Sequence, residues 1–280
     1  MLSLHVNLQS FGEQMLKSLL TIATSSVILF NSVAAYAADP VTVWDTLQPN
    51  NAIAFSSQGQ VPDEAADDFT ITNEKGFRVT NISFLGIFTK EAKIQDINLA
   101  FYKVFPADSD ANRTPATVRT NGPADDEFTA VSLANKQLSF KVTDVQNGFE
   151  VKQTLLPSSG PNAPGFGSGK LGGPVKGQLR RIDVKLNTPL ELKPGAVFLS
   201  IVVNPSAGEF LRLAGSRPPS VPSPLPSGVI DRQAWFRTNA GFTNALEPDW
   251  VRGSDVVNQQ NGTADPAFNL TFKVQGEPIQ

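Results

Sequence analysis

After residue 38 the chain alternates short apolar runs with clusters of Gly, Pro, Asn and Asp. The clearest run covers residues 268–274. Phe268, Leu270, Phe272 and Val274 are separated there by Asn269, Thr271 and Lys273. A period of two predicts a strand with one buried and one wet face. Residues 180–186 repeat the pattern, with Ile182, Val184 and Leu186 set against Arg181, Asp183 and Lys185. Residues 196–203 are almost continuously apolar, which predicts a central strand covered on both faces. Residues 77–88 and 94–105 carry apolar side chains on both faces and read as central strands too. No segment after residue 38 holds a helical apolar stripe over three turns. The pattern predicts an all-β fold, an antiparallel β-sandwich or a jelly-roll-like relative of it.

The turn residues agree. Pro194-Gly195 fits a type II turn, which wants a fixed negative φ and then a positive one. It leads from the 186–192 region into the strand at 196. Asn261-Gly262 is a good turn pair ahead of the last strand. Residues 158–177 are rich in Gly and Pro, and residues 217–228 in Pro and Ser. The strands on either side of both match in character. They are therefore expected to be long surface loops inside a single domain over residues 38–280.

The first 37 residues read differently. Met15-Leu16-Lys17 gives a short basic start, residues 19–30 an apolar run, and Ala35-Tyr36-Ala37 a small-x-small site. Those three parts in that order make a secretory signal-peptide helix, cleaved after Ala37. Residues 1–14 look like an upstream extension, with Met15 as a candidate start. The run is short of the roughly 20 apolar residues that span a bilayer, so no stable membrane span is expected in the mature form. The export signal places the protein outside the cytoplasm, in the periplasm, at the surface or in the medium.

Cleavage changes the chemistry at hand. The chain has one His, two Met and no Cys, and His5, Met1 and Met15 all precede residue 38. Ser-His-Asp triads, Cys-His pairs and His-ligated zinc are thereby excluded from the mature chain. Carboxylate, Ser/Lys and Arg chemistry remain, with oxygen-ligated metals. The net charge of −3 gives no electrostatic case for nucleic acid.

Motif tests narrow the field further. Gly167-Ser-Gly169-Lys-Leu-Gly172 matches a dinucleotide fingerprint in letters, but Pro174 follows at once and no helix pattern comes after. Leu171 stands where a Walker motif needs Ser or Thr. Asp108, Asp110 and Asn112 space three oxygen ligands alternately and form the candidate calcium site, calcium being the one cofactor in view. Arg113 and Arg119 occupy the Gly and Glu positions of an EF-hand, so it is not one. The same residues also suit a plain acidic turn, with Arg113 as salt-bridge partner to Asp108 or Asp110. Asp67 and Asp68 head a strand and point to opposite faces, so one is expected to close the entry turn and the other to face water. Glycoside hydrolysis needs only two carboxylates, but no sequence mark singles out a pair. Trp235 and Trp250, with Asp249 beside them, follow the Pro-rich loop and are the candidate ligand-binding residues. Their alternatives are a core role or an exposed stacking platform.

Three stretches carry a family resemblance: AADDFTI (65–71), FYKVFPADSDANRTP (101–115) and EPDWVRGSD (247–255). The chain resembles a group of exported bacterial proteins that often bear the PEP-CTERM sorting tail. The resemblance implies a β-sandwich delivered to the envelope or extracellular matrix, and it transfers no catalytic residues. The sequence departs from the pattern at Gly276-Glu277-Pro278-Ile279-Gln280, where the sorting motif would follow. A released product is expected on that ground. The functional expectation is an exported, non-enzymatic binding or matrix module, with an extracellular polysaccharide or envelope component as partner. The alternative is a carbohydrate-binding or carbohydrate-active module stabilised by calcium.

Overall fold

The computed structural model describes residues 39–59, 63–110, 121–155, 172–215, 233–238, 250–253 and 269–280. The leader with Ala35 and Ala37, most of the 158–177 loop, the 217–228 loop and the 261–262 turn lie outside the described residues. Within them the strands are β1 Val41–Asp45, β2 Pro49–Ser56, β3 Asp63–Ile71, β4 Phe77–Phe88 and β5 Ile94–Val104. They continue as β6 Pro123–Ser132, β7 Leu138–Val151, β8 Gln153–Leu155, β9 Val175–Leu192 and β10 Gly195–Pro205. The last are β11 Phe210–Gly215, β12 Trp235–Thr238, β13 Val251–Arg252, β14 Asn269–Leu270 and β15 Phe272–Pro278. The all-β expectation holds. Among the described residues every strand pairing is antiparallel except β2 with β8.

Two sheets result. The smaller runs β13-β12-β3-β10-β5-β6. The larger is organised on β4, which pairs with β9 along its whole length on one side. On its other side β4 pairs first with β15 and then with β11. The main core lies between the sheets, where Phe69, Leu99 and Ile201 face Phe84, Ile182 and Phe272. Phe69 and Phe272 meet edge-to-face at 6.2 Å, an arrangement the ring quadrupoles favour. The β10 strand is buried on both faces, as its continuous apolar run predicts.

Elsewhere the partners of a strand departed from its pattern. Gly195 adopts φ +118, as a turn glycine should, yet the turn does not make a hairpin. It carries the chain from β9 in the larger sheet to β10 in the smaller. At the other end, β7 pairs with β9 as far as Val151, and after Lys152 the chain pairs with β2 as β8. The larger sheet therefore curls on itself around a second core that includes Leu85, Ile87, Phe149, Val151 and Leu211.

That curl explains why residues 268–274 do not form one half-wet strand. Phe268 lies outside the described residues, and the rest divides at Thr271 into β14 on β11 and β15 on β4. Asn269 and Thr271 are buried, because both faces of this segment are covered. The break frees backbone groups, and buried side chains take them up. The Asp67 carboxylate accepts from the Leu270 amide at 2.6 Å. The Thr46 hydroxyl donates toward the Leu270 carbonyl at 2.7 Å and accepts from the Phe272 amide at 3.1 Å.

Candidate functional site

Three separated segments meet at one end of β4 and enclose a cleft of about 570 Å³. The end of β4 and its following loop supply Phe88, Thr89, Lys90 and Glu91. The β7 strand supplies Asp144, Asn147 and Gly148, and β9 supplies Lys176, Gly177, Gln178 and Arg180. The volume is in the range of small-molecule sites.

Irregular strand pairing makes the hollow. Asp144 lies opposite Arg180 and Phe149 opposite Gly177, so β7 carries two more residues than β9 across this stretch. Bulges of this kind bend a strand and re-aim its side chains. Gly148, at φ +67, is one such place, and an added Cβ would meet the Lys176 side chain at 2.9 Å. Gly177 is needed for another reason: a Cβ there would stand 2.4 Å from the Phe88 carbonyl oxygen. The β9 backbone lies tight on β4 as the floor of the cleft.

The wall opposite is held firmly. Thr89 N donates to the Glu209 carbonyl at 3.1 Å, and Glu209 N to the Thr89 hydroxyl at 2.9 Å. Lys93 N donates to the Ser206 hydroxyl at 3.0 Å, and Ser206 N to the Lys93 carbonyl at 2.8 Å. These four bonds tie the loop after β4 to the turn between β10 and β11.

Arg180 is the anchored cation of the site. Its Nε donates to Asp144 at 2.9 Å and its Nη1 to the Ala92 carbonyl at 2.8 Å. The guanidinium lies 5.0 Å over the Phe88 ring, which is itself buried. Nη2 makes no hydrogen bond to the described residues. Lys90 and Lys176 are exposed and form no ion pair among the described residues. The cleft thus presents three cations and two carboxylates, Glu91 and Asp144, on a chain whose net charge is −3.

None of these residues was a candidate from sequence. The available signal was Asn147-Gly148, a turn pair inside what proves to be a strand, which marks a bulge. The rest depends on β4, β7 and β9 meeting.

Trp235 and Trp250 do not form an open platform. They are 3% and 2% exposed, packed with Tyr102 and Phe198 on the outer face of the smaller sheet. Their ring faces are used by the protein itself. Arg252 lies 5.1 Å over Trp235, and Arg237 lies 4.7 Å over Trp250 and 5.2 Å over Tyr102. Trp250 Nε1 donates to the Ala124 carbonyl at 3.0 Å. Arg237 pairs with Glu64 at 2.9 Å and donates to the Tyr102 hydroxyl at 2.7 Å. That hydroxyl donates to Glu64 at 2.9 Å. Burial, then the Glu64 carboxylate, push the Tyr102 phenol up. Burial works against the Arg237 charge, but Glu64 and Tyr102 more than offset it and its pKa rises. Asp249 lies outside the described residues.

Of the candidate calcium ligands, Asp108 faces Lys103, whose ammonium is 2.9 Å from its carboxylate. Asp110 is placed by its own amide, which donates to Asp125 at 2.9 Å, while the Asp125 amide donates to the Ser109 hydroxyl at 2.9 Å. Asn112 and Arg113 lie outside the described residues. Among the described residues no group of three or more His, Cys, Asp or Glu is placed to hold a metal ion.

Asp67 does not close a turn. It sits mid-strand in β3, fully buried between the sheets, with Arg212 of β11 also fully buried nearby. Its Oδ1 accepts from the Asp68 amide at 2.9 Å and its Oδ2 from Leu270. Burial first, then Asp68, hold its carboxyl well above the usual carboxylate range. Arg212 donates to the Ala65 carbonyl at 3.2 Å, while its Nε and Nη2 find no acceptor among the described residues. Burial lowers its pKa to about 9 against the opposing pull of Asp67.

No protein-family model matches this chain, and no curated protein matches it. Among solved structures it is similar to the cysteine protease and lectin-like domains of Cwp84, a surface layer associated protein of Clostridium difficile. The identity is 8% and the TM-score 0.36, over 78% of this chain and 32% of that one. At that level of likeness nothing about this chain's role follows from it.

Proposed function

We propose that this chain is an exported, non-catalytic binding module that takes its ligand in the cleft between the end of β4, β7 and β9. The observation that carries the reading is the cleft itself, a polar concavity of about 570 Å³ with one wall tied by four hydrogen bonds and a guanidinium set in place. Export rests on the leader pattern before residue 38 and implies a ligand of the envelope or extracellular matrix. Binding rather than turnover is favoured by the surroundings of the acids. A glycosidic acid needs a carboxyl kept protonated in apolar surroundings. Asp144 is instead solvent-exposed and ion-paired to Arg180.

The test is a binding panel of extracellular polysaccharides and envelope fractions, run with the mature chain and with Asn147→Trp. Asn147 is an exposed lining residue, so the larger ring fills the cleft without entering a core. Retention of at least one panel member by wild type, lost in Asn147→Trp at unchanged thermal stability, is the expected result. Equal retention by both proteins would move the site elsewhere, and retention of nothing would remove the reading.

A further inference from the structure

The geometry points to an acidic polysaccharide, recognised through its carboxylates, as the ligand of this cleft. The inference rests on the binding role proposed above and names the chemistry of its ligand. Three features carry it.

The first is charge. Lys90, Lys176 and Arg180 outnumber Glu91 and Asp144, so the cleft has the sign opposite to the chain as a whole. Neither lysine is spent on an ion pair with a described residue. An anionic ligand would meet unneutralised cations there.

The second is the state of Arg180. Asp144 and the Ala92 carbonyl hold two of its nitrogens, and Nη2 makes no hydrogen bond to a described residue. A guanidinium fixed in this way loses little freedom when it donates again. Charge-assisted bonds from Arg to a planar carboxylate are among the stronger polar contacts a site offers.

The third is the lining. Thr89, Asn147 and Gln178 bring a hydroxyl and two amides, which suit a polyhydroxylated chain. Among the described lining residues Phe88 alone is large and apolar, and it is 1% exposed beneath Arg180. An acidic peptide would find no pocket for its apolar side chains. A lone oxyanion would fill little of 570 Å³, whereas a few sugar units match the size.

The test uses polygalacturonate, its fully methyl-esterified form and dextran sulfate as probes, in affinity electrophoresis with the mature chain. Wild type is expected to be retarded by polygalacturonate, with weakening as salt is raised. Esterification, which removes the charge and keeps the backbone, should weaken retention about tenfold or more, the scale of one lost charge-assisted bond. The exposed double variant Lys90→Gln, Lys176→Gln should show a loss of similar size at unchanged melting temperature. Equal binding of the esterified chain, abolished by Asn147→Trp, would overturn the acidic assignment and leave the cleft-binding role standing. Retention of dextran sulfate without polygalacturonate would overturn the carboxylate. Undiminished polygalacturonate binding by the double variant would place recognition outside these cations. Binding of none of the three probes would overturn the inference, while the broader panel decides the binding role on its own.

Discussion

Two Asp and Arg neighbourhoods of the molecule, one in the cleft and one between the sheets, differ in nearly everything except composition. In the cleft, Arg180 and Asp144 meet at 2.9 Å, with Asp144 open to solvent. Between the sheets, Arg212 and Asp67 are both 0% exposed, and each bonds to backbone rather than to the other. Water screens the first pair and lets its spare donor turn to a ligand at little cost. The second pair has given up hydration without a direct contact in return, and two Arg212 nitrogens find no acceptor among the described residues. Asp67 has a structural task, since its carboxylate accepts from the Leu270 amide where the last strand breaks. One pair is therefore a means of recognition, and the other a costly part of the join between sheets.

The largest effect should come from breaking the buried pair. Arg212→Leu leaves the Asp67 carboxylate without a counter-charge, a change that costs about 3–5 kcal/mol. Urea unfolding at neutral pH would measure it. The sign of its pH dependence follows from Asp67. Its pKa in the folded chain lies above the ordinary 3.8, so the folded state holds its proton more tightly than the unfolded one. Stability from this group is full below the unfolded value and is lost as pH rises through the folded one. The penalty of Arg212→Leu should therefore shrink as the pH is lowered toward 4. The double variant Asp67→Asn, Arg212→Leu should regain most of the loss at pH 7, because neither charge is then buried. A penalty that is independent of pH and survives in the double variant would mean that Arg212 acts through shape and packing.

An intermediate effect is expected on the outer face of the smaller sheet. Arg237 is partly reached by solvent but bonds Glu64 and Tyr102 and covers two rings. Arg237→Met should cost about 2 kcal/mol, and Tyr102→Phe about 1 kcal/mol. Chemical denaturation of both single variants and the pair would show non-additivity if the three side chains act as one network.

The smallest effect on stability belongs to the cleft. Asp144→Asn should change unfolding free energy by about 1 kcal/mol or less, since Asp144 itself is exposed and the amide oxygen still accepts from the half-buried Arg180. The same substitution removes a carboxylate beside Arg180 and should strengthen retention by polygalacturonate. If stability fell by several kcal/mol, Asp144 would belong with the buried pair and the contrast would collapse.

Much of the fold was legible because its signals are local. The alternation in residues 180–186, the continuous apolar run at 196–203 and the Pro194-Gly195 turn all lie within short windows. The cleft was not legible, since Lys90, Asp144 and Lys176 are far apart in sequence and carry no motif. Arg212 was missed for a related reason. It sits between Phe210 and Ala214 on one strand face, and a charged residue on a strand reads as wet until its neighbours are known. For Trp235 and Trp250 the sequence allows either core or platform, and only their burial, with Arg252 and Arg237 packed on their rings, decides it.

By itself, then, the sequence determined the strand period and the narrow range of side-chain chemistry after residue 38, where neither His nor Cys occurs. Both follow from residue order and identity, which need no partner. The tertiary structure decided which sheet each strand joins, sending β9 and β10 to opposite layers across one short turn. It also decided which charges are buried and which line a cleft. Those outcomes depend on strands distant in sequence covering or exposing a face, and period two alone does not specify the neighbour.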